Sequence, residues 1–347
     1  MESVKRSSNI ELLRIVFMLM IVLHHYCVNS GLTEIMRWDE ITPNMILIQF
    51  MSIGGKVGVN GFFLISGYFM IHKLASIQKT VKLLFEVLFY NIVVFLFFLA
   101  IGVEYTRSEI LECFVPILFS IPASFIGNYL LIYILSPIIN KGLKALSYKE
   151  FNILLIVLVV FYSILQTFFR QNTWQYFGWG FTMYSVGAYI RLYGINLSRK
   201  TAALGTFACL LFIWFFELFC DFGTKFVGGG ELWHKWMYMF TDANKFPVFA
   251  MSVFIFLWFK NMDLEYNKYI NKIAASCFGV LMIHANNWPM RHWLWGDTLN
   301  NVGFYHSPYL WLHMLLSVIG IYIICTLIDI LRINYIERPL FSWIYRK

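Results

Sequence analysis

Four ionisable residues stand inside one apolar stretch near the N-terminus. Glu11 and Arg14 open it, nine apolar residues follow, and His24 and His25 close it. Ionisable side chains are costly in a membrane-length apolar run, so each marks a functional position by default. Glu11 and Arg14 are three residues apart and can pair on one helix face. Arg14 and His25 are eleven apart, almost three full helical turns, so they share a stripe with a rise of roughly 16 Å. His24 points about 80° away from that stripe. An Arg fork suits a phosphate or a carbonyl oxygen. A His that titrates near neutrality can take a proton from a hydroxyl. The competing reading is a structural Glu11–Arg14 pair with a His that only hydrogen-bonds inside a bundle.

The elements that must position these residues follow from composition. The chain has 347 residues, 59% hydrophobic, 19% aromatic and 13% charged. A soluble domain runs about 45–50% apolar and about 25% charged. Half the usual charge cannot clothe a soluble surface, and disorder needs low hydrophobicity. A membrane helix needs about 20 mostly apolar residues. Ten segments qualify: 10–28, 57–72, 82–102, 123–140, 151–168, 175–193, 202–220, 245–259, 273–288 and 309–331. The fold expected is all-α, a polytopic membrane helix bundle of about ten transmembrane helices in one domain over 1–347. The first apolar run lacks a small-residue cleavage site and reads as a retained helix. Segment 44–53 is too short to span and reads as interfacial or re-entrant. Segment 110–121 is similar, broken by Pro116 and Pro122.

Charge sets orientation. Of 27 Lys and Arg, eighteen fall on connections on the N-terminal side, eight on the opposite side, and Arg14 lies inside the first helix. The positive-inside rule puts both termini in the cytoplasm. The net charge of +8 is then mostly a cytoplasmic rim that attracts anionic lipid. No motif argues for nucleic acid. Tryptophan is skewed outward, at Trp38, Trp174, Trp179, Trp233, Trp236, Trp288, Trp293, Trp295 and Trp311. An interfacial belt is the default; sugar-stacking platforms at Trp288, Trp293 and Trp295 are the functional alternative. The six cysteines form no C-x-x-C pair. His234, His292 and His306 lack metal-ligand spacing, so no metal is expected.

Other polar residues accompany the apolar segments. Lys56, Asn60, Ser66 and Tyr68 sit among the glycines of the second, where small residues allow close helix approach. His284 ends an apolar run and precedes Asn286 and Asn287; it is a candidate for catalysis or acceptor binding, or a hydrogen-bonded core His. Glu86 reads as paired near Lys82, and Glu217 beside Asp221 as an outward-side candidate.

Several motifs now fall into order. Glu11, Arg14 and His25 open the chain. Gly58-Val-Asn60-Gly-Phe-Phe-Leu-Ile-Ser66-Gly67-Tyr68-Phe follows, then Asn128-Tyr129-Leu-Leu-Ile-Tyr133 with Ser136-Pro137. Ser276-Cys-Phe-Gly279-Val-Leu-Met-Ile-His284 and Glu337-Arg338-Pro339 complete the set. Together these resemble the acyltransferase-3 family of integral membrane acyltransferases, over about residues 9–341. Asn60 stands where many members have Asp. The resemblance implies a multi-pass inner (plasma) membrane enzyme. It would move an acetyl group from cytoplasmic acetyl-CoA to a hydroxyl of a surface or lipid-linked glycan. It implies His25 as catalytic His and Arg14 as its donor-side partner, with Glu11 and His284 as further catalytic candidates. Many members carry Arg-x-x-Arg after the second helix; this chain offers Lys73, Lys79 and Lys82, which would meet CoA phosphates as point charges. Lys56, Asn60, Ser66, Tyr68 and Trp288 are the acceptor-side candidates. The rival classes are a transporter or flippase for lipid-linked sugar, using Glu–Arg–His as a proton relay, and a succinyl-transferring relative. Against transport, the sequence shows no inverted halves and no matched broken helices.

Overall fold

The computed structural model describes residues 7–37, 40–73, 76–115, 124–172 and 174–345. Trp38, Pro116 and Pro122, named above, lie outside them. The described residues form helices and no strand. In chain order the helices are α1 (Ser8–Val28), α2 (Leu32–Ile35), α3 (Pro43–Ser52), α4 (Gly54–Met70), α5 (Ile77–Ala100) and α6 (Arg107–Phe114). Then come α7 (Phe125–Ala145), α8 (Tyr148–Val159), α9 (Leu165–Phe168), α10 (Tyr176–Leu192), α11 (Arg199–Phe226) and α12 (Gly230–Met237). The last are α13 (Phe246–Lys260), α14 (Lys268–Ala274), α15 (Cys277–His284), α16 (Trp288–His292), α17 (Leu310–Arg332) and α18 (Arg338–Ile344).

Six helical stretches are long and apolar enough to cross a membrane: Ser8–Val28, Pro43–Met70, Ile77–Ala100, Tyr148–Phe168, Arg199–Phe226 and Leu310–Ile344. The other segments expected to cross fall on α7, α10, α13 and the pair α14–α15. Two local expectations change. Segment 44–53 is not a separate interfacial piece, because Ile53 keeps right-handed helical backbone (φ −57°, ψ −38°) and carries α3 into α4. Segment 273–288 is a broken helix, with Ala275 and Ser276 between α14 and α15.

Elementary signals place the helix ends. Thr42 caps α3 by accepting from Met45 N–H, with Pro43 at the first helical position. Thr106 and Glu109 form a capping box on α6, and Ser147 and Glu150 another on α8. The Thr106 hydroxyl, helped by its backbone N–H, holds the Glu109 carboxyl below its ordinary range.

The centre is built on α4, which packs against both α1 and α10. Glycine permits the approach. A Cβ at Gly67 would overlap the Tyr184 carbonyl, and one at Gly187 the Leu64 carbonyl. On the α1 side, a Cβ at Gly55 would overlap the His24 side chain. Close backbone contact replaces the hydrophobic driving force that lipid removes. The outward faces of α5, α8, α11 and α17 carry exposed Leu, Ile, Val and Phe, as a lipid-facing surface requires.

Candidate active site

Contacts sort the ends of the bundle into two groups. At one end, Asn9 donates to the carbonyls of Lys260 and Met262, Asn140 to Met70 O, and Asn261 to Leu197 O. This is the Arg14 end. At the other, Asn301 donates to Tyr26 O, Asn44 to Tyr305 O, and Lys245 to Gln166 O. This is the His25 end.

A cavity of about 800 Å³ opens at the His25 end. His24 and His25 of α1 and Lys56 of α4 line it, with Asn91, Glu109, Trp174, Asp242, Asn286, Trp288 and Arg291. His24 and His25 therefore both reach it despite diverging on the helix.

His25 is oriented by a relay of hydrogen bonds. His284 Nδ1 lies 2.6 Å from the Val280 carbonyl, four residues back on α15. A carbonyl only accepts, so Nδ1 carries the hydrogen. In the neutral ring Nε2 then holds a lone pair. That atom lies 3.0 Å from His25 Nδ1, which donates to it. His25 Nε2 is left as a bare base on the ring edge away from His284. His284 is fully buried and sits behind His25, with Trp295 edge-on at 6.3 Å. His24 is held separately, Nδ1 donating to Ser52 O at 2.7 Å.

The cavity wall is also braced. Lys56 pairs with Asp242 at 3.3 Å. Arg291 donates through Nε (3.1 Å) and a terminal nitrogen (2.9 Å) to the Ala285 carbonyl, closing the end of α15. Asn286 donates to Asn91, and Asn91 to Cys113 O.

The remaining candidates are spread out. Glu11 and Arg14 pair at 3.4 Å, and the Arg14 guanidinium also lies 5.9 Å from the Phe69 ring. Lys73 lies 5.3 Å from the same ring. Lys79 is exposed. Lys82 sits 4.0 Å from Glu337 and over Phe341. Asn60 is fully buried and its amide is spent: it donates to Ala243 O and Ser252 Oγ and accepts from Trp179 Nε1. Ser66 shares a hydrogen bond with Tyr129, and the Tyr68 hydroxyl accepts from Arg191. None of Asn60, Ser66 and Tyr68 lines the cavity. Trp288 does, and is 67% exposed. Of the three tryptophans read as platforms, Trp295 is fully buried against Tyr26, and Trp293 packs on Phe97 and Phe98. Glu217 and Asp221 are buried and away from the cavity lining.

Glu86 is paired at the Lys82 end as expected, with Arg332 as its partner. It meets Arg332 at 3.0 Å, alongside Asp329 at 2.8 Å and Glu337 at 2.7 Å, and Tyr90 donates to Asp329. A buried guanidinium has five donors to satisfy and draws in several carboxylates. Sequence reasoning also passed over Asp242 and Arg191, whose partners Lys56 and Tyr68 lie far along the chain, and Arg291, which folds back onto the Ala285 carbonyl. Among the described residues no cluster of three or more His, Cys, Asp or Glu side chains could hold a metal ion.

No curated protein and no solved structure matches the chain. A family model, described as an acyltransferase domain, matches residues 7–330. That match spans α1 through nearly all of α17 and takes in His25 and His284 alike, so the chain belongs to the acyltransferase-3 family.

Proposed function

We propose that the protein transfers an acetyl group from cytoplasmic acetyl-CoA to a hydroxyl of a cell-surface or lipid-linked glycan. It would do so in the inner membrane, with both termini in the cytoplasm. The observation that carries this reading is the Val280–His284–His25 relay, which leaves His25 Nε2 as a base on a residue that lines an open cavity with charged and amide side chains on its wall. His25 acts in one of two ways. In the direct route the sugar oxygen attacks the thioester carbon as Nε2 takes its proton. The C–O bond forms, the C–S bond breaks, and the proton passes to the CoA thiolate. In the covalent route Nε2 itself attacks the thioester carbon, the C–S bond breaks and CoA leaves as its thiolate. The hydroxyl oxygen then attacks the acetyl carbon, the C–N bond breaks, and the hydroxyl proton passes through the freed Nε2 to the thiolate. His284 is the positioning residue: it fixes the His25 tautomer and shares the charge that forms.

Arg14, Lys73, Lys79 and Lys82 serve the donor on the cytoplasmic side. Lys56 and Trp288 serve the acceptor: a charged donor to hydroxyl oxygens and an exposed ring for a sugar face. The charged side chains on the cavity wall include both signs, Lys56 and Arg291 with Glu109 and Asp242, which favours a neutral, hydroxyl-rich acceptor over a strongly ionic one.

The test is transfer itself. Purified protein with acetyl-labelled CoA and membrane glycans should yield labelled glycan. Export of unmodified lipid-linked sugar without label transfer would replace the enzyme reading with a flippase. A donor competition with succinyl-CoA fixes the acyl group.

A further inference from the structure

The three Lys after α4 lack the fork that a phosphate prefers. The structure brings a guanidinium from another helix close to the first of them, Lys73. Arg191 lies in the last turn of α10, exposed, 5.0 Å from the centre of the Tyr68 ring. One of its terminal nitrogens donates to the Tyr68 hydroxyl at 3.1 Å. Tyr68 stands edge-on to Phe69 at 5.3 Å, and Phe69 is the ring that Arg14 and Lys73 both approach. Three cations from α1, α10 and the end of α4 thus gather around two adjacent rings. Glu11 pairs with Arg14. Among the described residues no carboxylate pairs with Arg191, and one hydrogen bond leaves most of its five donors to a ligand. The contact with the Tyr68 ring and hydroxyl holds the guanidinium without neutralising it.

We propose that Arg191 binds the phosphates of the acyl donor's nucleotide, supplying from α10 the bidentate contact that the lysines after α4 cannot make. The proposal rests on the acyl-CoA reading above. It makes Arg191 a donor-binding residue and not one that touches the reacting carbonyl, which belongs to His25.

Two donors separate these roles. Acetyl-CoA carries the phosphates; S-acetylpantetheine carries the same thioester and arm without the nucleotide. In Arg191→Ala the KM for acetyl-CoA should rise about tenfold or more, as loss of a charge-assisted hydrogen bond implies. kcat should stay near wild type, and KM for S-acetylpantetheine should not move. Arg191→Lys should recover part of the loss. An equal rise for both donors, or no rise for acetyl-CoA, overturns the proposal. Calorimetric binding of CoA itself needs no turnover. If wild-type protein transfers no acetyl group but binds CoA, and Arg191→Ala weakens that binding, the proposal stands while the transfer reading falls. Equal CoA binding by both proteins, or none by either, overturns it. Should Arg191→Ala not fold, Arg191→Gln, which keeps a donor for Tyr68 while removing the charge, takes its place in every arm.

Discussion

Arg14 and His25 share one helix, yet the two ends of α1 are finished differently. At the His25 end the polar groups are held by fixed, mostly neutral partners. His25 rests on His284, His284 on the Val280 carbonyl, and Arg291 on the Ala285 carbonyl. At the Arg14 end charge comes in two forms. Arg332 is locked by three carboxylates, whereas Arg191 spends one donor on Tyr68 and faces no carboxylate among the described residues. The contrast matches the work each end would do. Bond making rewards geometry fixed before the substrate arrives. Capture of a polyanion rewards charge left open toward solvent.

The locked form of charge offers the largest test. Arg332→Ala strands three carboxylates around a buried guanidinium site and should cost about 3–5 kcal/mol. The readout is a lowered melting temperature of the purified protein in detergent. Unchanged melting would mean the network is not a brace between α5 and α17. Next comes the relay. His284→Ala removes the acceptor for His25 Nδ1 and should lower kcat about 10- to 100-fold, with KM little changed, since tautomer control is part of what general-base catalysis supplies. His284→Gln keeps an acceptor oxygen and should recover much of the loss. Equal activity in both variants and wild type would reduce His284 to a packing residue. The smallest effect separates two residues first read together. Trp288→Ala should raise the acceptor KM several-fold, about 1 kcal/mol of stacking, and leave melting unchanged. Asn60→Ala should do the reverse, lowering stability by about 1–3 kcal/mol because the Trp179 N–H and the Ala243 carbonyl lose their partner.

How much of this was legible depended on range along the chain. The Glu11–Arg14 pair and the Arg14–His25 stripe follow from helical spacing, and the structure keeps them on α1 with the pair formed. The all-α character followed from apolar runs of membrane length. Pairings between distant elements left no local trace. His25 and His284 are 259 residues apart, and Asn60 meets Trp179 across 119. Glu86 had Lys82 one turn away, but a buried Arg332 outcompeted it, because burial makes an unsatisfied guanidinium far more costly than an unpaired rim lysine. Trp295 looked like a platform beside Trp288; a π-helical turn over 293–298 accompanies its burial behind the histidines. The break at Ala275–Ser276 lacks Pro or Gly, the residues that usually announce one.

The proposed chemistry rests on His25 Nε2 in the cavity. The most direct measurement is kcat for acetyl transfer by His25→Ala, in protein whose melting temperature matches wild type. If His25 Nε2 is the reacting base, kcat should fall about a thousandfold or more. Transfer at the wild-type rate would contradict that role.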